Sequence, residues 1–302
     1  MNIAVIGNNY FGPKIAKELQ RYDSLNIYIY YDTNGKTSDK IKFLINIFKI
    51  DVVYSFSASI SGGGALNIAL KFNKKIIQHF IGSDVLSAIE DFNNKKINYD
   101  LINRSQYLCI EQHLQEELKT ININAITKLI IVAELPKVKH PKLPESFVVL
   151  AYIGNNNPIF YGINTIIKLA NDFKEIEFRV AGLKNYPNIP SNVKLLGWVD
   201  MNKEYQNSVV HIRMPQHDGL GFSVLEALSY GLVVFRNYNS PHVNYFKNYD
   251  DLVMQMREVK NAFNKGKLEI NYDAINFIEN KYKKEFFLKD IINILLKDNN
   301  DS

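Results

Sequence analysis

The sequence predicts an α/β protein of two Rossmann-like, doubly wound domains facing a cleft. Apolar runs of strand length alternate with helix-period segments through both halves. A stretch rich in proline and lysine interrupts that alternation near the middle, and 302 residues suit two compact domains better than one.

In the first half the strand candidates are residues 3–6, 26–30, 52–56, 75–79, 107–110 and 128–132. Segments 14–21, 39–48, 65–72 and 112–119 lie between them and repeat apolar residues with a period of about 3.6. Strand-helix alternation of this kind builds a parallel sheet covered on both faces. Prolines at 136, 141 and 144 then mark a linker. The alternation restarts with strands at 147–152, 177–181, 193–196, 209–214 and 233–235, and helices at 163–173, 222–230 and 250–264. A single long amphipathic helix is predicted from 272 to about 296. The domain expectation is therefore 1–136, a linker at 137–145, a second domain at 146–271, and a terminal helix within 272–302 returning to the first domain.

Composition narrows the function. Hydrophobic residues make up 46% of the chain, which excludes a disordered or fibrous protein. The lone cysteine, Cys109, permits neither an internal disulfide nor a multi-cysteine metal site. No apolar stretch approaches the roughly 20 residues a membrane span needs, and no signal peptide precedes the first strand, so a cytoplasmic protein is expected. Lysines gather at 137–142 and 281–284 within a net charge of +5. They suit solvated helix faces, an anionic substrate or a peripheral membrane contact; nucleic acid is not an expected partner.

One segment carries the chemistry: His217-Asp218-Gly219-Leu220-Gly221-Phe222, running into Glu226 and ending at Gly231. It follows a predicted strand and opens a predicted helix. Glycines let backbone approach a ligand, and a helix start offers free N–H groups to a diphosphate or to sugar oxygens. Asp218 and Glu226 stand eight residues apart, and carboxylates accept hydrogen bonds from a vicinal diol such as a ribose.

This stretch resembles the donor-binding signature of retaining GT-B glycosyltransferases of the GT4-like kind, with Asp218 where glutamate is commoner. The similarity is densest over 190–235, including Gly197-Trp198, and extends to Gly62-Gly63-Gly64 and 74–84 in the first half. The resemblance implies Glu226 on the nucleotide ribose, with Asp218, Gly219, Leu220 and Gly221 on the transferred sugar. It implies a nucleotide-diphosphate sugar as co-substrate on the second domain, no cofactor and no bound metal, retention of configuration, and a glycan, lipid or protein acceptor on the first domain. The family also places an Arg and a Lys-Gly pair after the first strand of its second domain; here Tyr161-Gly162 stand there instead. Arg213 is the replacement candidate for the diphosphate, with Lys184 and His217 secondary.

Asp218 is a catalytic candidate; in the first domain Gly12 is placed toward the cleft, and His79 and Asp84 are the other catalytic candidates, each weighed against a plain alternative: a core histidine and a helix cap. His113 and Glu111 rank below them; His140 and His211 read as structural. Three rivals stand beside the transferase: an inactive nucleotide-sugar-binding module, a nucleotide-sugar epimerase, and a dehydrogenase. The last draws on Gly7 and Gly12 with Asp32 downstream, but Asn9 occupies the middle glycine place of that fingerprint.

Overall fold

Strands buried on both faces must be apolar along their whole length, and the central runs read above, such as Val52–Phe56, become such strands, whereas the edge runs such as Ile27–Tyr30 are partly exposed. The structure, a computed structural model, describes residues 1–297. The chain divides into two compact units, Met1–Glu134 with the segment from Lys283 onward, and Leu135–Tyr282.

The first unit holds strands β1 (Asn2–Gly7), β2 (Ile27–Tyr30), β3 (Val52–Phe56), β4 (Lys75–Phe80), β5 (Ser105–Cys109) and β6 (Ala125–Thr127). All are parallel, in the order β2-β1-β3-β4-β5-β6. Helices α1 (Gly12–Tyr22), α2 (Thr37–Asn46), α3 (Gly64–Lys71), α4 (Asp84–Asn93), α5 (Tyr99–Arg104) and α6 (Gln112–Lys119) connect them. The sixth strand lies at 125–127, ahead of the expected 128–132. Lys128 donates its N–H to the Cys109 carbonyl, but its own carbonyl faces His79 Nε2 at 2.7 Å. With that acceptor taken, the ladder ends, and Ile130 and Ile131 enter the core as loop residues.

The second unit repeats the plan with β7 (Val148–Tyr152), α7 (Ile163–Asp172), β8 (Glu177–Ala181), β9 (Val193–Gly197), α8 (Met201–Gln206), β10 (Val210–Arg213), α9 (Phe222–Ser229), β11 (Val233–Arg236), β12 (Asn244–Tyr245), α10 (Tyr249–Asn264) and α11 (Tyr272–Lys281). Its parallel strand order is β12-β11-β10-β7-β8-β9. Asn248 and Asn271 cap α10 and α11 by accepting from Asp251 N–H and Ala274 N–H. Residues 128–147 form neither helix nor strand.

The single terminal helix expected from 272 is two helices, α11 and α12 (Lys284–Leu296), broken at Tyr282–Lys283. The break follows from the apolar phase. Ala274, Ile275 and Ile278 are buried on α11, which packs beside α9. Leu288, Ile291, Ile292 and Leu295 join the core of the first unit with Ile3, Val5, Ile15 and Leu19. Ile278 and Leu288 are ten residues apart, so one continuous helix would present them roughly 80° out of line. Lys284 opens α12, buried between Glu18 and Glu134 at 2.8 Å each. The remainder of the expected terminal segment, 298–302, lies outside the described residues.

Candidate active site

Ligands of open parallel sheets bind beyond the carboxyl ends of the strands where the strand order reverses. In the second unit the chain builds β7, β8 and β9 outward, then returns to lay β10 on the other side of β7. The reversal therefore falls between β7 and β10. The loops leaving those two strands carry Tyr161, Gly162 and Asp218, and Arg213 stands at the end of the second.

Arg213 ends β10, and its guanidinium donates Nε and Nη2 to the two carboxylate oxygens of Asp218, both at 2.9 Å. The side chains are 11% and 10% exposed, which makes this a nearly buried, bidentate ion pair. Burial acts to depress the Arg213 pKa, but the bonds to Asp218 outweigh it and hold the guanidinium protonated. Nη1 carries no hydrogen bond. The Tyr161 ring lies 5.5 Å from the guanidinium carbon, so the residue standing in the expected lysine position flanks the cation.

Gly221 precedes α9 in a left-handed conformation, φ +65°, and a Cβ there would come within 2.9 Å of Asp218 Oδ2. Glycine is thus required both by the backbone and by the carboxylate beside it. Gly162, at φ +92°, has the same constraint against Met214. Gly219 and Leu220 are buried, and the Gly219 carbonyl turns inward to accept from Arg236 Nη2 at 2.7 Å.

Glu226 lies one turn into α9 and is partly buried. Its Oε2 accepts from the Tyr205 hydroxyl at 2.9 Å, while Oε1 carries no hydrogen bond. Burial raises the Glu226 pKa, and the Tyr205 bond only partly opposes that. Tyr205 is in turn fixed by stacking on Tyr230, ring centroids 5.4 Å apart. The carboxylate is therefore pre-oriented with one acceptor oxygen to spare.

The structure brings Asp218, Arg213, Gly221, Tyr161 and Gly162 together and holds Glu226 on the same helix. His217 is buried beside Asp218, and Lys184 is exposed. Three candidates of the first unit need correction. His79 is fully buried, with Tyr54 OH donating to Nδ1 at 2.7 Å and Nε2 facing the Lys128 carbonyl. A carbonyl only accepts, so the proton sits on Nε2 and both ring nitrogens are engaged. Burial drives its pKa down to about 3, leaving a neutral core histidine. Asp84 accepts from the N–H groups of Ala58, Ile81 and Gly82, and so is spent on tying its own loop to the loop after β3. Gly12 faces the Tyr30 ring, which a Cβ would strike at 2.3 Å; its role is helix packing.

Two residues of the site were not anticipated. Tyr205 orients Glu226, and Arg236, 2% exposed, braces the glycine loop from below. Arg236 had a visible signal, a charge closing the apolar run Val233-Val234-Phe235; Tyr205 ends a helical segment that fits the resemblance, but nothing in the sequence assigned it a partner. Among the described residues no group of three or more His, Cys, Asp or Glu is placed to hold a metal ion, and no helix is long and apolar enough to cross a membrane.

No protein-family model and no curated protein matches the sequence. Solved structures match in fold. HepE from Anabaena, in complex with UDP and glucose, superposes with a TM-score of 0.69 at 12% identity, over 97% of this chain and 98% of that one. TarM gives 0.62 at 15% identity, over 86% of this chain and 58% of TarM, so the chain spans little more than half of that protein. A UDP-GlcNAc 2-epimerase from Neisseria meningitidis, bound to UDP-GlcNAc, gives 0.56 at 15% identity over 99% and 100%. At these identities the likeness establishes architecture: two parallel six-stranded sheets flanked by helices, as in the GT-B glycosyltransferases and epimerases it matches.

Proposed function

We propose that the chain is a glycosyltransferase of the GT4-like kind, moving a hexose-type sugar from a nucleotide-diphosphate sugar to an acceptor hydroxyl with retention and without metal. The observation that carries this reading is the strand-order reversal at β7 and β10, where a glycine-fronted helix, a buried arginine and two carboxylates converge. Glu226 takes the ribose hydroxyls on its unoccupied oxygen. The start of α9 and Arg213 Nη1 take the diphosphate. As the phosphates draw on Arg213, the Asp218 carboxylate is released to accept from hydroxyls of the transferred sugar.

In the reaction the bond from the anomeric carbon to the donor phosphate oxygen breaks and a bond to the acceptor oxygen forms. The electron pair of the broken bond stays on the phosphate oxygen, the acceptor hydroxyl passes its proton to that departing phosphate, and the nucleoside diphosphate leaves. Positive charge aimed at that leaving group stabilises the transition state. The test is incubation of the full chain with uridine, guanosine and adenosine diphosphate sugars, with and without mixed acceptors. Glycoside product or slow release of nucleoside diphosphate is expected. An epimerised donor formed without acceptor would replace this reading with epimerisation, and binding without turnover would reduce the chain to a binding module.

A further inference from the structure

Helix α2 carries apolar side chains on two sides. Phe43, with Ile47 in the turn that follows, faces the sheet and is buried in the core with Ala4, Ile6 and Tyr31. Ile41, Leu44, Ile45 and Phe48 point away from it and are exposed, Ile45 by 69% and Phe48 by 75%. At about 100° per residue the four fall within roughly 100° of one another, on the side opposite Phe43. Single exposed apolar residues are ordinary on a surface, but this spacing of i, i+3, i+4 and i+7 makes a stripe. Phe72, at the end of α3, extends it, its ring 5.0 Å from that of Phe48. The edge strand lies alongside. Asn2 pairs in register with Ile27 and donates Nδ2 to the Lys49 carbonyl at 2.9 Å, and Ile27 and Ile29 of β2 are half exposed.

Lysines border the stripe. On the same wheel Lys40 falls on one flank and Lys42 and Lys49 on the other, all exposed. Residues 36–51 hold four lysines against two carboxylates, and both carboxylates are engaged. Asp39 accepts from Asp32 N–H and stands 3.8 Å from the Lys42 ammonium, and Asp51 accepts from Asn2 N–H. A lysine stem can lie along apolar surface while its ammonium rises to a layer of phosphates. Apolar side chains flanked by lysines in this way suit the boundary between headgroups and acyl chains of an anionic bilayer. A second copy on the same face would set lysine against lysine across a two-fold axis, and protein interfaces are depleted in lysine.

We propose that α2 anchors the chain to an anionic membrane surface. Ile41, Leu44, Ile45 and Phe48 enter the headgroup region, and Lys40, Lys42 and Lys49 pair with lipid phosphates. At ten residues α2 lies on the bilayer rather than spanning it. This contact requires nothing of the function proposed above.

The test is co-sedimentation of the full chain with vesicles of phosphatidylcholine, alone or with one third phosphatidylglycerol, at low and high salt. The parent chain should bind the anionic vesicles, release them as salt rises, and leave the neutral ones unbound. Ile45→Ser with Phe48→Ser should lower the partition coefficient at least tenfold. Lys40→Glu, Lys42→Glu and Lys49→Glu together should lower it by at least as much, at roughly fivefold for each lysine lost. All five side chains are exposed, so both variants should keep the thermal midpoint and any nucleotide affinity of the parent. Lys139→Glu with Lys142→Glu, in the proline-rich stretch, is the control and should leave vesicle binding unchanged. No binding to anionic vesicles, binding that both α2 variants retain, or binding lost only in the control would each overturn the proposal. A concentration-dependent dimer that Ile45→Ser with Phe48→Ser abolishes, in a chain that binds no vesicle, would also overturn it and give the stripe to a second copy. Vesicle binding that responds as expected in a chain that binds no nucleotide would uphold the anchor and refute the transferase reading alone.

Discussion

Glu226→Gln isolates the charge that the proposed donor site depends on. The substitution keeps side-chain length and leaves an amide oxygen to accept from Tyr205, whose hydroxyl is 2.9 Å from Oε2. What changes is the second oxygen, which carries no hydrogen bond in the free protein and faces the ribose in the proposed complex. A hydrogen bond to a charged group contributes about 1.5–3 kcal/mol. Exchanging that acceptor for an amide N–H₂ should therefore weaken nucleotide binding by roughly 10- to 150-fold. Calorimetric titration with whichever of UDP, GDP or ADP binds the parent chain gives the measurement. Stability should move the other way. Burial raises the folded-state pKa of Glu226, so its stabilising contribution is full in acid and lost as pH rises through that raised value. The Gln variant lacks this loss and should unfold no earlier than the parent at pH 8. By the same reasoning, nucleotide affinity in the parent falls as pH drops through the raised pKa, and the variant shows no such step. Unchanged nucleotide affinity in a folded Gln variant would refute the assignment.

Asp218→Asn leaves the Arg213 guanidinium nearly buried without its carboxylate, which should cost about 3–5 kcal/mol in urea denaturation; Arg213→Met combined with Asp218→Leu should recover most of that. His79 and His211 are both held neutral by burial, with pKa values near 3 as folded, so the stability they give is complete above the unfolded value of about 6.5 and drains away toward pH 3. Acid unfolding monitored by circular dichroism should accordingly steepen by about 1.4 kcal/mol per pH unit for each histidine, and His79→Phe should remove one share of that slope while leaving nucleotide binding intact. Ile291→Ala on α12 should destabilise the first unit by about 2–5 kcal/mol, read as faster hydrogen exchange of the β1 and β3 amides with α9 unaffected.

Strand positions were legible because a parallel sheet buried on both faces leaves an unbroken apolar run, as at Val52–Phe56, where all five residues are buried. The signature was legible because glycine and carboxylate spacing is local, and local geometry decides what stands at a helix start. Pairings between distant residues left no such trace. His79 after an apolar strand looks the same in sequence whether it meets a substrate or a tyrosine hydroxyl and a carbonyl from residues 25 and 49 positions away. Asp84 has the residue type of a catalytic acid and the position of a loop anchor, and only the three N–H groups converging on it decide between them. The break between α11 and α12 was in principle readable, because Ile278 and Leu288 are out of phase, but the run of apolar residues on both sides masks it.

Arg213 and Asp218 together carry no net charge, and that fact sharpens what their pairing does. In the proposed donor complex a nucleoside diphosphate brings two or more negative charges to a site where the stretch from Gly154 to Gly162 holds no cation. The helix start contributes about half a positive charge, so Arg213 must supply the rest, and it is already engaged. Donor binding then works against Asp218. Removing that carboxylate's charge should tighten nucleotide binding even as it weakens the fold. For Asp218→Asn the gain should be roughly tenfold, about 1.4 kcal/mol, well inside what two charges a few ångströms apart exchange at an effective dielectric constant of about 20. Sugar transfer should nevertheless fall, since the acceptor for the sugar hydroxyls has gone. Stability down, affinity up and turnover down is a combination that neither a structural ion pair nor a plain donor ligand produces. An Asp218→Asn chain that bound nucleotide more weakly than the parent would show that Asp218 holds Arg213 in place for the diphosphate rather than competing for it.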